Sequence, residues 1–170
     1  MIRRLTLGLV LAVVLVLETT IFKDLTVYGV EPDLVLIVAI AYALINGPEK
    51  GAIFGFIGGL AQDIMTGRYL GMNALSKALS CYLVGQVEQK VYKEHALVSI
   101  FFVCLGTLIN ELIVYIVGNL VGLDIAFKSA LWNVILPMML YNGLLSPIIY
   151  HYFYRSSVKG WLKKDNFGEW

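Results

Sequence analysis

The sequence predicts an all-α, polytopic integral membrane protein folded as a six-helix transmembrane bundle. Mean hydropathy is +0.78, and 59% of the 170 residues are hydrophobic, more apolar surface than one soluble core of this size hides. Charged residues make up 15% of the chain and gather between apolar runs such as LTLGLVLAVVLVL and ALVSIFFVCLGTLIN, the way loops alternate with spans. Six apolar segments follow, at 5–22, 33–46, 50–66, 71–87, 96–121 and 130–154, within a single transmembrane domain 1–170.

The first segment opens with MIRR and imitates a signal peptide. ETTIF follows Leu17 without a small-x-small cleavage site, so the segment is expected to stay as a first span. The second and third segments are short. At 1.5 Å per residue they rise about 21–26 Å, against a hydrocarbon core of roughly 30 Å, so they need thinned bilayer or shelter inside the bundle. NGP at 46–48 is their hairpin, since proline suits the first turn of a new helix. The chain after the sixth segment, 155–170, reads as a short basic cytoplasmic tail.

Orientation follows from lysine and arginine. Arg3, Arg4, Lys50, Lys90, Lys93, Arg155, Lys159, Lys163 and Lys164 fall in one set of alternating loops, and only Lys23, Arg68 and Lys128 in the other. The positive-inside rule then puts both termini in the cytoplasm, which requires an even number of spans.

Four ionisable side chains sit within the drawn spans: Glu18, Asp63, Lys77 and Glu111. A charge at the bilayer centre costs roughly 2.5–3.5 kcal/mol on the mildest scale, so these groups are expected to face one another, water or the bundle interior. Counting from the span ends puts all of them in the outer half, with Glu111 and Asp63 the leading partners for Lys77. The amides Asn73, Asn110 and Asn133 are expected to join them. A buried ion pair that fixes helix register explains such a cluster, and so does a polar cavity open to the outside.

GAIFGFIGGLAQDIMTG, residues 51–67, carries Gly51, Gly55, Gly58 and Gly59 and then Asp63. Positions 51, 55, 59 and 63 lie four apart, on one helix face, with Gly58 and Gln62 beside it. In lipid such a row is a groove that admits another backbone, from this chain or from a partner. Leucine there is expected to push the helices apart, and alanine to be tolerated far better. Cys81 and Cys104 lie inside apolar runs and read as packing residues.

The stretch 18–85 combines PDL at the opening of the second span, a GP hairpin, the glycine-rich third span closing on Asp, and LGMNAL. It resembles the rod shape-determining protein MreD family through Pro32, Asp33, Leu34, Gly47, Pro48, Gly51, Gly55, Gly59, Asp63, Gly67, Gly71, Asn73, Ala74 and Gly85. Where that family usually has Gln near the end of span one, this chain has Glu18. The resemblance implies a subunit of the bacterial cytoplasmic (inner) membrane, in the cell-wall elongation machinery, paired with the bitopic MreC and through it with peptidoglycan synthases and actin-like filaments. It also implies a fold similar to the substrate-binding subunits of energy-coupling-factor vitamin transporters, which makes transport the alternative function.

An enzyme is not expected. The chain has no HExxH, GxSxG or P-loop, and His95 and His151 stand without carboxylate company. No cofactor, metal or nucleic acid is expected, since no Cys/His spacing and no basic stripe exists. An assembly subunit needs only grooves, short loops and the bilayer as its solvent. A homodimer is left open.

Overall fold

The structure, a computed structural model, describes residues 2–22, 29–67, 69–86 and 96–159. The expectations attached to Lys23, Arg68, Lys90, Lys93, His95, Lys163 and Lys164 lie outside these residues. Helix α1 covers Ile2–Leu17 and continues as a π turn, Glu18–Phe22; α2 covers Leu34–Asn46, α3 Pro48–Thr66, α4 Met72–Gly85 and α5 Ala96–Leu120. Helix α6, Phe127–Ala130, is joined by a second π turn, Leu131–Ile135, to α7, Leu136–Lys159, so the three make one rod. Every apolar segment of the sequence falls on a helix, and α7 carries the first residues of the basic tail as helix.

Local chemistry sets the helix ends. Asp33 caps α2, its Oδ1 accepting the Leu36 N–H at 2.8 Å, which satisfies one of the donors a helix start leaves open. Pro48 occupies the first turn of α3, where its missing N–H costs nothing. Gly71 caps α4 with φ of 96°, a left-handed conformation in which a Cβ would be strained.

Helix α2 is the hub. Its 13 residues rise only about 20 Å, and Leu34 through Leu44 are all buried. A helix that is apolar all round belongs inside other protein, and α3, α4, α5, α7 and α1 supply that cover. The shortness noted in the sequence is therefore met by shelter. By length and composition, Leu97–Leu120 and Phe127–Phe153 are the two helices able to cross a membrane, with Leu5–Thr20 and Leu34–Asn46 as shorter apolar ones among the described residues.

Side-chain pairings fix the directions. Glu18 meets Val35, so α1 and α2 are antiparallel. The Asp33 amide meets Asn142 and the Tyr42 ring meets Phe153, so α2 and α7 run parallel. The amino end of α1 and the carboxyl end of α7 thus lie at one end of the bundle, and Glu18, Asp33 and Asp63 at the other.

The exterior is apolar. Leu9 and Val13 on α1, Ile57 on α3, Leu79 on α4, Phe101 on α5 and Leu144 on α7 are exposed, while Asp33, Asp63, Lys77, Asn110, Glu111 and Asn142 are buried. A surface of large hydrophobics around a core that holds the charges suits lipid as solvent, not water.

Candidate functional site

Lys77 on α4 is the largest fully buried side chain, at 0% exposure. Its ammonium lies 2.6 Å from Asp33 Oδ2 and donates to Asn73 Oδ1 at 3.3 Å. The partner expected from the sequence was Asp63 or Glu111, and the structure corrects this. Asp33, the first residue of the second segment, is absent from the four intramembrane charges drawn from the sequence, yet as the cap of α2 it turns one carboxylate oxygen to Lys77 on α4. Removing either member of such a buried pair leaves an uncompensated charge, which costs about 3–5 kcal/mol.

Asp63 has a different task. Its two carboxylate oxygens accept the N–H groups of Gly71 (2.9 Å), Asn73 (3.2 Å) and Ala74 (3.2 Å) and the Asn73 side-chain amide (2.9 Å). A carboxylate at the amino end of α4 satisfies donors the helix cannot use itself and meets the positive end of its dipole. Asp63 therefore closes the α3–α4 turn and makes no ion pair among the described residues.

The network widens through amides. Gln62 Nε2 donates to Glu18 Oε1 at 2.5 Å and to Asp33 Oδ1 at 3.3 Å, while Glu18 Oε2 accepts the Val35 N–H at 3.3 Å. Asn142 accepts the Asp33 N–H at 3.0 Å and donates to Thr107 Oγ1 at 3.1 Å. One connected set of bonds thereby ties α1, α2, α3, α4, α5 and α7 together at one end. Glu111 accepts from Asn110 at 2.9 Å and, with Glu18, stands within electrostatic reach of Lys77 without bonding to it. Asn133 is exposed and bonds Ser129 instead of joining the cluster.

The glycine row is filled by this chain's own helices. A Cβ on Gly51 would meet the Ala43 backbone at 2.7 Å, one on Gly55 the Lys77 carbonyl oxygen at 2.9 Å, and one on Gly59 the Ala74 Cα at 2.7 Å. Four residues turn a helix by about 400°, so the row drifts by roughly 40° per step. That drift carries it from α2 at Gly51 to α4 at Gly55 and Gly59. Gly58 faces Val35 and Leu11. The contacts at Gly51, Gly55 and Gly59 include backbone, which cannot step aside, so even the single methyl of alanine must displace a neighbour there, and leucine adds three more carbons at the same place. Close approaches at Gly106 against Ile40 and Gly143 against Cys104 serve the same end on α5 and α7; both are isolated glycines, which sequence spacing does not single out.

Beside the network a cleft of about 890 Å³ opens at the end of the bundle opposite the start of α1 and the end of α7. Its polar lining joins the hydroxyls of Thr19 and Thr66 to the side chains of Glu18, Glu31, Asp33, Gln62 and Asn73. Glu18 opens one π turn, and Val134, also lining the cleft, belongs to the other.

These features define a class: a membrane-embedded helical protein whose buried charges and amides hold helices to one another, with its apolar faces turned outward. Of the sequence-predicted residues, the structure brings Glu18, Asp33, Lys77 and Asn73 into one network, joins Asp63 to it through the Asn73 amide while Asp63 caps α4, and places Asn110 with Glu111. The model of the family described as rod shape-determining protein MreD matches residues 1–156. The chain belongs to that family. No curated protein and no solved structure matches it, so the expected likeness in fold to vitamin-transporter subunits has no solved counterpart.

Proposed function

We propose that this chain is a non-enzymatic, multi-pass subunit of the bacterial cell-wall elongation machinery in the cytoplasmic membrane. It binds the bitopic MreC-type protein and through it helps couple actin-like filaments to peptidoglycan synthases. The family match over residues 1–156 carries this reading. Six passes with both termini in the cytoplasm are supported by the charge bias of the loops and by the common end at which α1 begins and α7 finishes.

With the glycine row occupied internally, a partner's span seats on the outer apolar faces, where dispersion and shape drive association in lipid. The test is co-purification from native membranes of a rod-shaped host, with the tagged chain as bait. The MreC-type protein is expected at stoichiometric levels, and depletion of the chain is expected to round the cells. Rod shape retained on depletion, with no such partner recovered, would overturn the reading.

A further inference from the structure

Helix α6 begins at the end of the bundle opposite the end of α7, and its first turns carry an open groove of about 590 Å³ lined by Ala126, Lys128, Ser129, Trp132 and Asn133. The backbone that leads into it is tied to α5. Asn119 Oδ1 accepts the Ile125 N–H at 3.0 Å, the Gly118 carbonyl accepts the Leu123 N–H at 3.0 Å, and the Phe127 and Tyr115 rings meet at 5.5 Å. Within the groove Asn133 Nδ2 donates to Ser129 Oγ at 3.1 Å, which leaves the Ser129 hydroxyl proton and the second amide proton of Asn133 to donate outward. Lys128 is exposed and makes no ion pair among the described residues. Asp124, the nearest carboxylate along the chain, does not line the groove. An ammonium, a hydroxyl and an amide without a carboxylate among them suit an anion.

The anion is one that carries hydrocarbon. Trp132, Leu140 and Leu144 are exposed, and their spacing by multiples of four keeps them close to one face of the rod below Lys128. At 1.5 Å per residue the rise from Trp132 to Leu144 is about 18 Å, and from Trp132 to Tyr152 about 30 Å, the depths of one leaflet and of the whole hydrocarbon core. Tyr152 and Arg155 are exposed at the far end, as Trp132 and Lys128 are at the near one. An aromatic ring with a cation beyond it, at both ends of such a span, marks the two headgroup layers.

We propose that the groove at Lys128, Ser129, Trp132 and Asn133 seats the phosphodiester of an anionic phospholipid, with the acyl chains laid along Trp132, Leu140 and Leu144. Lys128 supplies the charge, and Ser129 and Asn133 donate to the phosphate oxygens. A zwitterionic headgroup brings its own cation beside Lys128 and binds more weakly. That the lipid belongs to the outer leaflet rests on the six-pass topology proposed above; the MreC-type partner plays no part in it.

The test uses the full chain with Trp161→Phe and Trp170→Phe, which leaves Trp132 as the one indole, in nanodiscs of dioleoylphosphatidylcholine. Increasing shares of dibrominated phosphatidylglycerol or of dibrominated phosphatidylcholine are added. Bromine on an acyl chain quenches an indole it touches, so the two titrations compare the lipids at this site. Phosphatidylglycerol is expected to be preferred about fivefold, the scale of one lysine at an anionic surface. Lys128→Gln should bring that ratio close to one, and Asn133→Ala, which removes one donor, should lower it to roughly half. Lys50→Gln makes the same charge change at an exposed position on α3 and should leave the ratio as it is.

Equal quenching by the two lipids, a ratio insensitive to Lys128→Gln, or an equal loss from Lys50→Gln would each overturn the proposal, the last by showing attraction to net charge alone. Inorganic phosphate in the buffer is expected to leave the preference intact. Its loss on adding phosphate would show that the groove takes a free anion and not a lipid. If neither lipid quenches Trp132, the indole lies outside the bilayer, and the proposal falls together with the membrane placement of α7. The purified chain carries no partner, so none of these results bears on the MreC-type pairing.

Discussion

Lys77 Nζ lies 2.6 Å from Asp33 Oδ2, while Asp33 Oδ1 starts α2 by accepting the Leu36 N–H. One carboxylate thus caps the central helix and neutralises the buried cation of its neighbour, which makes the α2–α4 register depend on a single side chain.

Lys77→Met is expected to destabilise by about 3–5 kcal/mol, because Asp33 is left charged and buried. Asp33→Asn added to it should recover most of that loss: asparagine is as good a cap as aspartate and carries no charge to strand. Fluorescence-detected gel filtration after heating in detergent measures both. Recovery through Asp63→Asn or Glu111→Gln, but not through Asp33→Asn, would show that Lys77 is paired elsewhere.

Gly59→Ala is expected to cost roughly 1–3 kcal/mol, the range for overpacking a tight interface, since its Cβ would meet the Ala74 Cα at 2.7 Å. Gly8→Ala is the control. Nothing lies within 4 Å of a Cβ at that position, so the change should be neutral or gain up to about 1 kcal/mol in helix propensity. The midpoint of thermal unfolding distinguishes them, and equal midpoints would show that the α3–α4 contact is looser than described.

Asp63→Ala removes the acceptor for the N–H groups of Gly71, Asn73 and Ala74. Each buried donor so stranded costs about 1–3 kcal/mol. Hydrogen exchange at Asn73 and Ala74 should accelerate with little change in α5. Asp63→Asn keeps one oxygen and is expected to be the milder lesion. Unchanged exchange in Asp63→Ala would mean that water replaces the carboxylate.

The proposed topology predicts that Leu123→Cys is labelled by an impermeant maleimide from outside the cell, whereas Asn166→Cys is labelled only after the membrane is opened. Labelling of Asn166→Cys in intact cells would rule out an even number of passes with cytoplasmic ends.

How much of this was legible in the sequence depends on whether a property is local. Helix positions were, because hydropathy and the NGP hairpin with Pro48 act on their own neighbours. The presence of a buried ion pair was legible too, since a lysine inside an apolar run has few other solutions. Its partner was not. Asp33 reads as a helix start, and only the three-dimensional crossing of α2 with α4 reveals that one of its oxygens is left for Lys77. In the same way, four-residue spacing announced a groove at Gly51, Gly55 and Gly59, but the occupant, α2 at one end and α4 at the other, follows from helical drift and from which neighbours are present. Gly106, Gly143 and Asn142 were invisible as contacts because each depends on a helix far away in the chain.

The complete enclosure of α2 bears on how the protein is made. As α2 leaves the ribosome it has no α4, no α5 and no α7 around it, it is too short to bridge the hydrocarbon by itself, and the carboxylate at its head lacks its ammonium. The insertion machinery therefore has to hold this segment, or let it rest at the membrane surface, until α3 and α4 have emerged. Its final seat is reached when the later helices close over it. A protein truncated after α3 would leave α2 without the cover of α4, α5 and α7 and Asp33 without Lys77.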